Sequence, residues 1–137
     1  MKRKALQIYK SAINRVLPDK LVRSGLLSYD SQLKNAQNIY ILAFGKAAFL
    51  MAKEAEIILS DKITGGLVIT KHGHGGELKY LKVIEAGHPI PDKNGVNATI
   101  QILKIAEQAK ENDVILCLIS GGASALLADY PENATLN

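Results

Sequence analysis

Ile39-Tyr40-Ile41-Leu42-Ala43-Phe44-Gly45-Lys46-Ala47-Ala48 is the stretch on which the reading of the fold turns. Its first six residues are a short apolar run rich in strand formers. Such a run reads as a strand buried on both faces, the pattern of a parallel sheet. Gly45 then turns the chain. Ala47, Leu50, Met51, Ala55, Ile58 and Leu59 supply the inner face of a helix that reaches about residue 60. Strand, glycine turn and helix form the first half of a βαβ unit.

The same alternation continues outward. Leu67-Val68-Ile69-Thr70 is a second strand, entered through Gly65-Gly66, and a Gly/His loop covers 71–76. Residues 81–86 are a third strand with some alternation. His88-Pro89-Ile90-Pro91-Asp92 is a stiff connector, because each proline fixes its own φ and restricts the residue before it. A helix is expected over 94–110, with Asp92 or Asn94 as its N-cap. Val114-Ile115-Leu116-Cys117-Leu118-Ile119 is the most hydrophobic strand, and Cys117 reads as packed core. The expected fold class is α/β: a three-layer, open, mostly parallel sheet flanked by helices, Rossmann-like in kind.

The N-terminal region is a basic amphipathic helix. Ala5, Leu6, Tyr9, Ala12, Ile13, Val16 and Leu17 make one apolar stripe, and Pro18-Asp19 is expected to end it. Residues 1–71 carry 12 basic and 5 acidic side chains, against 5 and 8 in residues 72–137. A basic N-terminal helix raises a mitochondrial presequence or a nucleic-acid arm as alternatives. The region lacks the interleaved aromatics that base stacking needs, so the charges read as a solvated face.

Composition sets the outer bounds. The 137 residues carry a net charge of +4, are 47% hydrophobic and 22% charged, and so belong to the ordinary globular class, not the disordered one. One domain core is expected. A single cysteine excludes an internal disulfide framework and a cysteine-based zinc site, and makes the cytoplasm the default compartment. No apolar run approaches the roughly 20 residues of a membrane span. Leu136-Asn137 follows soon after Ala125-Leu126-Leu127 with no capping element, so a continuation is expected, with an apolar edge where it would join.

Three motifs bear chemistry. Gly45-Lys46-Ala47-Ala48 sets a lysine at a helix start, where free N–H groups and the helix dipole favour phosphate or carboxylate. It is not a Walker A loop: Tyr40 stands where the first glycine belongs and Ala47 where Ser or Thr belongs. Ser120-Gly121-Gly122-Ala123-Ser124 follows the most buried strand. Adjacent glycines let the backbone approach an anion and aim N–H groups at it. The frame Gly122-Ala123-Ser124-Ala125-Leu126 lacks the last glycine of a serine-hydrolase elbow. The third motif is the histidine set. His72-Gly73-His74 lacks a third ligand at helical spacing, so no metal site is assigned. His88 and Asp92 form a candidate polar site loop held by two prolines.

Taken in order, four segments resemble the glycerate 2-kinases, the MOFRL-containing class sometimes labelled hydroxypyruvate reductase. They are Phe44-Gly45-Lys46-Ala47-Ala48, Gly66-Leu67-Val68-Ile69-Thr70-Lys71, Glu85-Ala86-Gly87-His88-Pro89-Ile90-Pro91-Asp92, and Leu118-Ile119-Ser120-Gly121-Gly122-Ala123-Ser124-Ala125-Leu126-Leu127. The resemblance covers nearly the whole chain. It implies ATP-dependent phosphorylation of D-glycerate at its 2-hydroxyl, in a cleft between two domains, with Mg²⁺ as the divalent ion. On that resemblance residues 1–137 are the N-terminal part of the N-terminal α/β domain of a two-domain protein, and the C-terminal MOFRL domain is absent.

The resemblance makes Lys46 the catalytic lysine that neutralises transferring phosphate. Gly45, Ser120, Gly121, Gly122, Ala123 and Ser124 become the substrate- or phosphate-binding set. Ala123 stands where the family usually has a third glycine, and would strain the loop if that position needs φ > 0. Mg²⁺ would bridge the nucleotide phosphates through ligands beyond Asn137, and His88 and Asp92 are the candidates for a general base. The implied partners are ATP and D-glycerate, with neither nucleic acid nor membrane. A homodimer, or association with a missing C-terminal portion, belongs to the same expectation. The alternatives are a non-catalytic or split fragment and an NAD(P)-dependent hydroxypyruvate reductase. The reductase is disfavoured, because Gly45-Lys46-Ala47-Ala48-Phe49-Leu50 fails the Gly-x-Gly-x-x-Gly pattern.

Overall fold

Residues 2–129 are described by the computed structural model. In chain order they form α1 (Lys2–Arg15), α2 (Pro18–Ser28), α3 (Asp30–Asn35), β1 (Ile39–Phe44) and α4 (Ala48–Leu59). After a 3₁₀ turn come β2 (Ile63–Lys71), β3 (Lys82–Ala86), α5 (Lys93–Gln108), β4 (Val114–Ile119) and α6 (Ala123–Leu126). The strands pair in parallel in the order β3-β2-β1-β4. β1 is central, and Ile41 and Ala43 are fully buried in it.

Period-2 alternation sorts the strand side chains between two cores. Ile41, Ala43, Val68 and Leu118 face α2, α3 and α4, where they meet Val22, Leu26, Ala48, Ala52 and Ala55. Leu42, Leu67 and Ile69 face α5 and α6, where they meet Ala98, Ile102 and Leu126. Helices on both faces of a parallel sheet make the three-layer α/β architecture that the apolar runs predict. Each buried Leu or Ile contributes about 1.5–3 kcal/mol relative to exposure. The small residues Ala48, Ala52 and Ala55 let α4 lie close to the strands. Arg23 of α2 ties to the mostly buried Glu54 of α4.

Gly66 lies beside β1 where a side chain has no room. A Cβ there would overlap the carbonyl oxygen of Ile41. This glycine belongs to β2, which is longer than the 67–70 expected and includes the Gly65-Gly66 pair.

Several expectations change. α1 ends at Arg15, ahead of Pro18 as expected, but Pro18 also opens a further helix: it occupies the first turn of α2, where its missing N–H is harmless. The helices α2 and α3 occupy a region to which the sequence reading assigns no element. α1 forms as expected, but its apolar stripe meets no partner among the described residues: Leu6, Tyr9, Ile13 and Val16 are all exposed. Cys117 is exposed, not core, because β4 is the sheet edge among the described residues. The chain end at Leu136-Asn137 lies outside the described residues. Among those described, no helix is long and apolar enough to cross a membrane.

Gly66→Ala should destabilise the fold by about 2–3 kcal/mol, since strand separation must widen to admit the methyl group. Urea unfolding followed by circular dichroism measures this directly.

Candidate functional site

Strand order brings the two glycine motifs together. The chain steps outward from β1 to β2 to β3, then returns through α5 to place β4 on the other flank of β1. In such sheets the crevice beyond the carboxyl ends of the strands, where the order reverses, is the place for a ligand. Phe44 and Ile119, the last residues of β1 and β4, are register partners. Gly45-Lys46 and Ser120-Gly121-Gly122 therefore leave the sheet side by side.

Backbone bonds lock the two turns to one another. The Ser120 N–H donates to Phe44 O at 3.1 Å, and the Lys46 N–H donates to Gly121 O at 3.0 Å. The Ala47 N–H donates to Ser120 Oγ at 3.0 Å. Ala47 has no side-chain oxygen with which to cap α4, so the serine hydroxyl supplies the acceptor instead. Gly45 has φ +125°, and a Cβ on it would overlap both Ser120 Oγ and Ser120 O. Only glycine permits this approach.

His88 closes the third side. Gly122, at φ +86°, is the left-handed residue that turns the loop into α6. A Cβ on Gly122 would lie 2.7 Å from His88 Nε2 and 3.2 Å from Lys46 Cγ. The Lys46 stem runs on past Gly121, its Cε 4.0 Å from the corresponding position there. Imidazole, lysine stem and bare glycine backbone thus share one patch. Lys46 and Gly121 are exposed and His88 is half-buried, so the patch faces solvent. Ala123 does not strain the loop, because it is the first residue of α6 and the positive φ falls on Gly122. Ser124 sits within α6, exposed. Ser120 has its oxygen committed to Ala47, which leaves its hydrogen free to donate.

Asp92 takes the expected place at the start of the helix, and both of its oxygens are used there. Its Oδ1 accepts from the Gly95 N–H at 3.0 Å, which makes it the N-cap of α5. Its Oδ2 lies 2.8 Å from His72 Nε2. Burial pushes this carboxyl upward, but the Gly87 and Gly95 N–H groups and His72 outweigh it and hold Asp92 below the usual carboxylate range. Glu85 is likewise lowered, by the N–H groups of Gly73 and Gly75, which it accepts at 3.1 and 2.7 Å. His72 and Glu85 were not singled out as site residues, and their roles are structural: they clasp the glycine-histidine loop to the end of the sheet. No local pattern reveals that clasp, since its partners come from separate loops.

The patch is rich in donors. A lysine, glycine-loop N–H groups and serine hydroxyls can hold an anionic oxygen, while the neighbouring carboxylates are committed elsewhere. Among the described residues no group of three His, Cys, Asp or Glu side chains stands together to hold a metal ion. These residues do not by themselves fit a protein-held Mg²⁺.

Two outcomes test this geometry. Gly122→Ala should weaken any anion binding at the patch and cost about 1–3 kcal/mol of stability, because φ +86° and the His88 ring both oppose a methyl group. Phosphate titration against thermal melting reads both effects. The second concerns acid. A carboxyl whose folded pKa is depressed stabilises the fold above its unfolded pKa, about 3.9 for Asp, and that share is lost as pH falls through the folded pKa. Asp92→Asn keeps the cap but removes this titration, so its loss of stability below about pH 4 should be smaller than that of the parent chain.

Comparison with known proteins agrees with the four-motif resemblance. The chain is 40% identical to a D-glycerate 2-kinase of Thermotoga maritima, over 99% of this chain and 32% of that protein. It is 41% identical to a glycerate 2-kinase of Pyrococcus horikoshii, over 94% of this chain and 28% of that protein. The crystal structure of glycerate kinase from T. maritima superposes with a TM-score of 0.87 at 39% identity, covering 98% of this chain and 32% of that one. The chain thus spans about a third of the length of the curated relatives it matches. A family model described as a domain of unknown function (DUF4147) matches residues 4–137, and the chain belongs to that family.

Proposed function

We propose that this chain supplies the phosphate- and substrate-binding part of a glycerate 2-kinase site, within a protein of the length of its relatives. In this reading residues 1–137 are the N-terminal part of the first α/β domain, and a MOFRL domain belongs to the remaining length. The carrying observation is the β1–β4 pairing, which sets Lys46 beside Gly121 and Gly122 at the switch point of the sheet. The names of the relatives give the substrate class: D-glycerate as acceptor, and ATP as the phosphoryl donor that a kinase uses.

Phosphoryl transfer needs positioning and charge neutralisation more than covalent chemistry by the protein. The Lys46 ammonium meets negative charge on the transferring group. The N–H groups of the Gly121-Gly122 turn hold an anionic oxygen of glycerate or phosphate, and the Ser120 and Ser124 hydroxyls donate beside them. Gly45 contributes by having no side chain, which lets Ser120 pack against the start of α4. Mg²⁺, as the family resemblance implies, would neutralise nucleotide phosphates when bound; the described residues offer it no ligand cluster. A cytoplasmic location accompanies this reading, from the single cysteine and the ATP donor. The rival hydride-transfer reading lacks its dinucleotide fingerprint.

In the full-length protein Lys46→Ala should lower kcat for glycerate phosphorylation by about tenfold or more, equivalent to about 1.4 kcal/mol per decade. Unchanged turnover would remove Lys46 from the mechanism. ATP, and not NADH, should raise the melting temperature. Residues 1–137 alone should show no turnover in the same assay.

A further inference from the structure

A kinase acting on an alcohol must also accept the hydroxyl proton, and the patch around Gly122 is dominated by donors. Lys46 donates only, as do the backbone N–H groups. The carboxylates of the adjoining loops are committed. Asp92 divides its oxygens between the cap of α5 and His72. Glu85 holds the Gly73 and Gly75 N–H groups. His72 and His88 differ in the same way. His72 is tied to Asp92 through Nε2, at the side of the glycine-histidine loop. His88 instead turns its Nε2 edge onto Gly122, with no room for a side chain between them, and Lys46 packs on the same glycine. A neutral imidazole offers one acceptor nitrogen, Nε2 when the proton sits on Nδ1, and imidazole is the side chain best suited to take up a proton near neutral pH.

We infer that His88 is the proton acceptor of the phosphoryl transfer, with Nε2 as the accepting atom. This rests on the kinase reading above and assigns the general base, for which the sequence offers His88 and Asp92 equally. The 2-hydroxyl oxygen of glycerate forms a bond to the γ-phosphorus of ATP. The bond from that phosphorus to the β,γ-bridging oxygen breaks, and its electron pair leaves with ADP. The hydroxyl proton passes to His88 Nε2, and the imidazolium later returns it to water. Gly122 has a specific part in this arrangement: its missing side chain lets the imidazole reach the same surface as the Lys46 stem.

The test uses the full-length protein and His88→Gln, which keeps a polar side chain but cannot carry the proton. The expected result is a fall in kcat of about 100-fold or more, with the ATP-induced rise in melting temperature and the KM for ATP retained. His88→Ala assayed with added imidazole is the second variant, and a dose-dependent recovery of turnover is expected. Turnover of His88→Gln within about threefold of the parent, or no recovery of His88→Ala by imidazole, overturns the assignment while leaving the kinase reading intact. A parent protein that transfers no phosphoryl group to glycerate overturns both.

Discussion

The candidate site depends on one contact between segments far apart in sequence: Gly45 against Ser120. β1 and β4 run side by side, and the turns that leave them pack so closely that a methyl group on Gly45 would overlap the serine. The serine oxygen then caps α4 through the Ala47 N–H, 73 residues away in sequence. One missing side chain thereby sets three things at once. It fixes where α4 begins, where Lys46 leaves the backbone, and how the Gly121-Gly122 turn lies beside that lysine. Had β4 joined the sheet next to β3, the lysine and the glycine loop would stand at opposite edges.

Polar groups around the strand ends divide into two sets. The acceptors Asp92 and Glu85 serve the architecture, one as a helix cap and one as a clasp on the glycine-histidine loop. The donors of the Lys46 and Gly121-Gly122 patch stay at the surface. That division gives a surface suited to anions, since a carboxylate left free beside Lys46 would compete with phosphate for the same ammonium. It also separates His88 from His72, although both were read as members of one histidine set.

Apolar surface is exposed as well. The stripe of α1 and the outer side of β4, with Ile119 and Cys117, are exposed among the described residues. Contiguous apolar surface of this kind is characteristic of faces that meet other polypeptide. The chain also matches only about a third of the length of its relatives.

Much of the fold was legible because periodicity is local. The uninterrupted apolar runs at 39–44 and 114–119 marked parallel strands, although the second, read as the most buried, is a partly exposed edge among the described residues; 3.6-residue spacing marked α4 and α5. Asp92 before a helix was a readable cap. Lys46 and the Ser120–Ser124 turn were readable as anion-binding candidates from glycine placement alone. α2 and α3 were not: Pro18 reads as the end of one helix, although it opens the next, and α3 has only six residues; both are secured by packing Val22, Leu26 and Leu33 onto the core. Cys117 was misread because an edge strand and a central strand share the same apolar composition, and only pairing tells them apart. The strain feared at Ala123 vanished because the chain takes its left-handed step one residue earlier. Sequence by itself determined the elements and the residue types able to hold an anion, because both follow from local spacing and side-chain chemistry. The tertiary structure alone decided that β4 lies beside β1 and that His88 reaches Gly122, because those contacts join segments with no local relation.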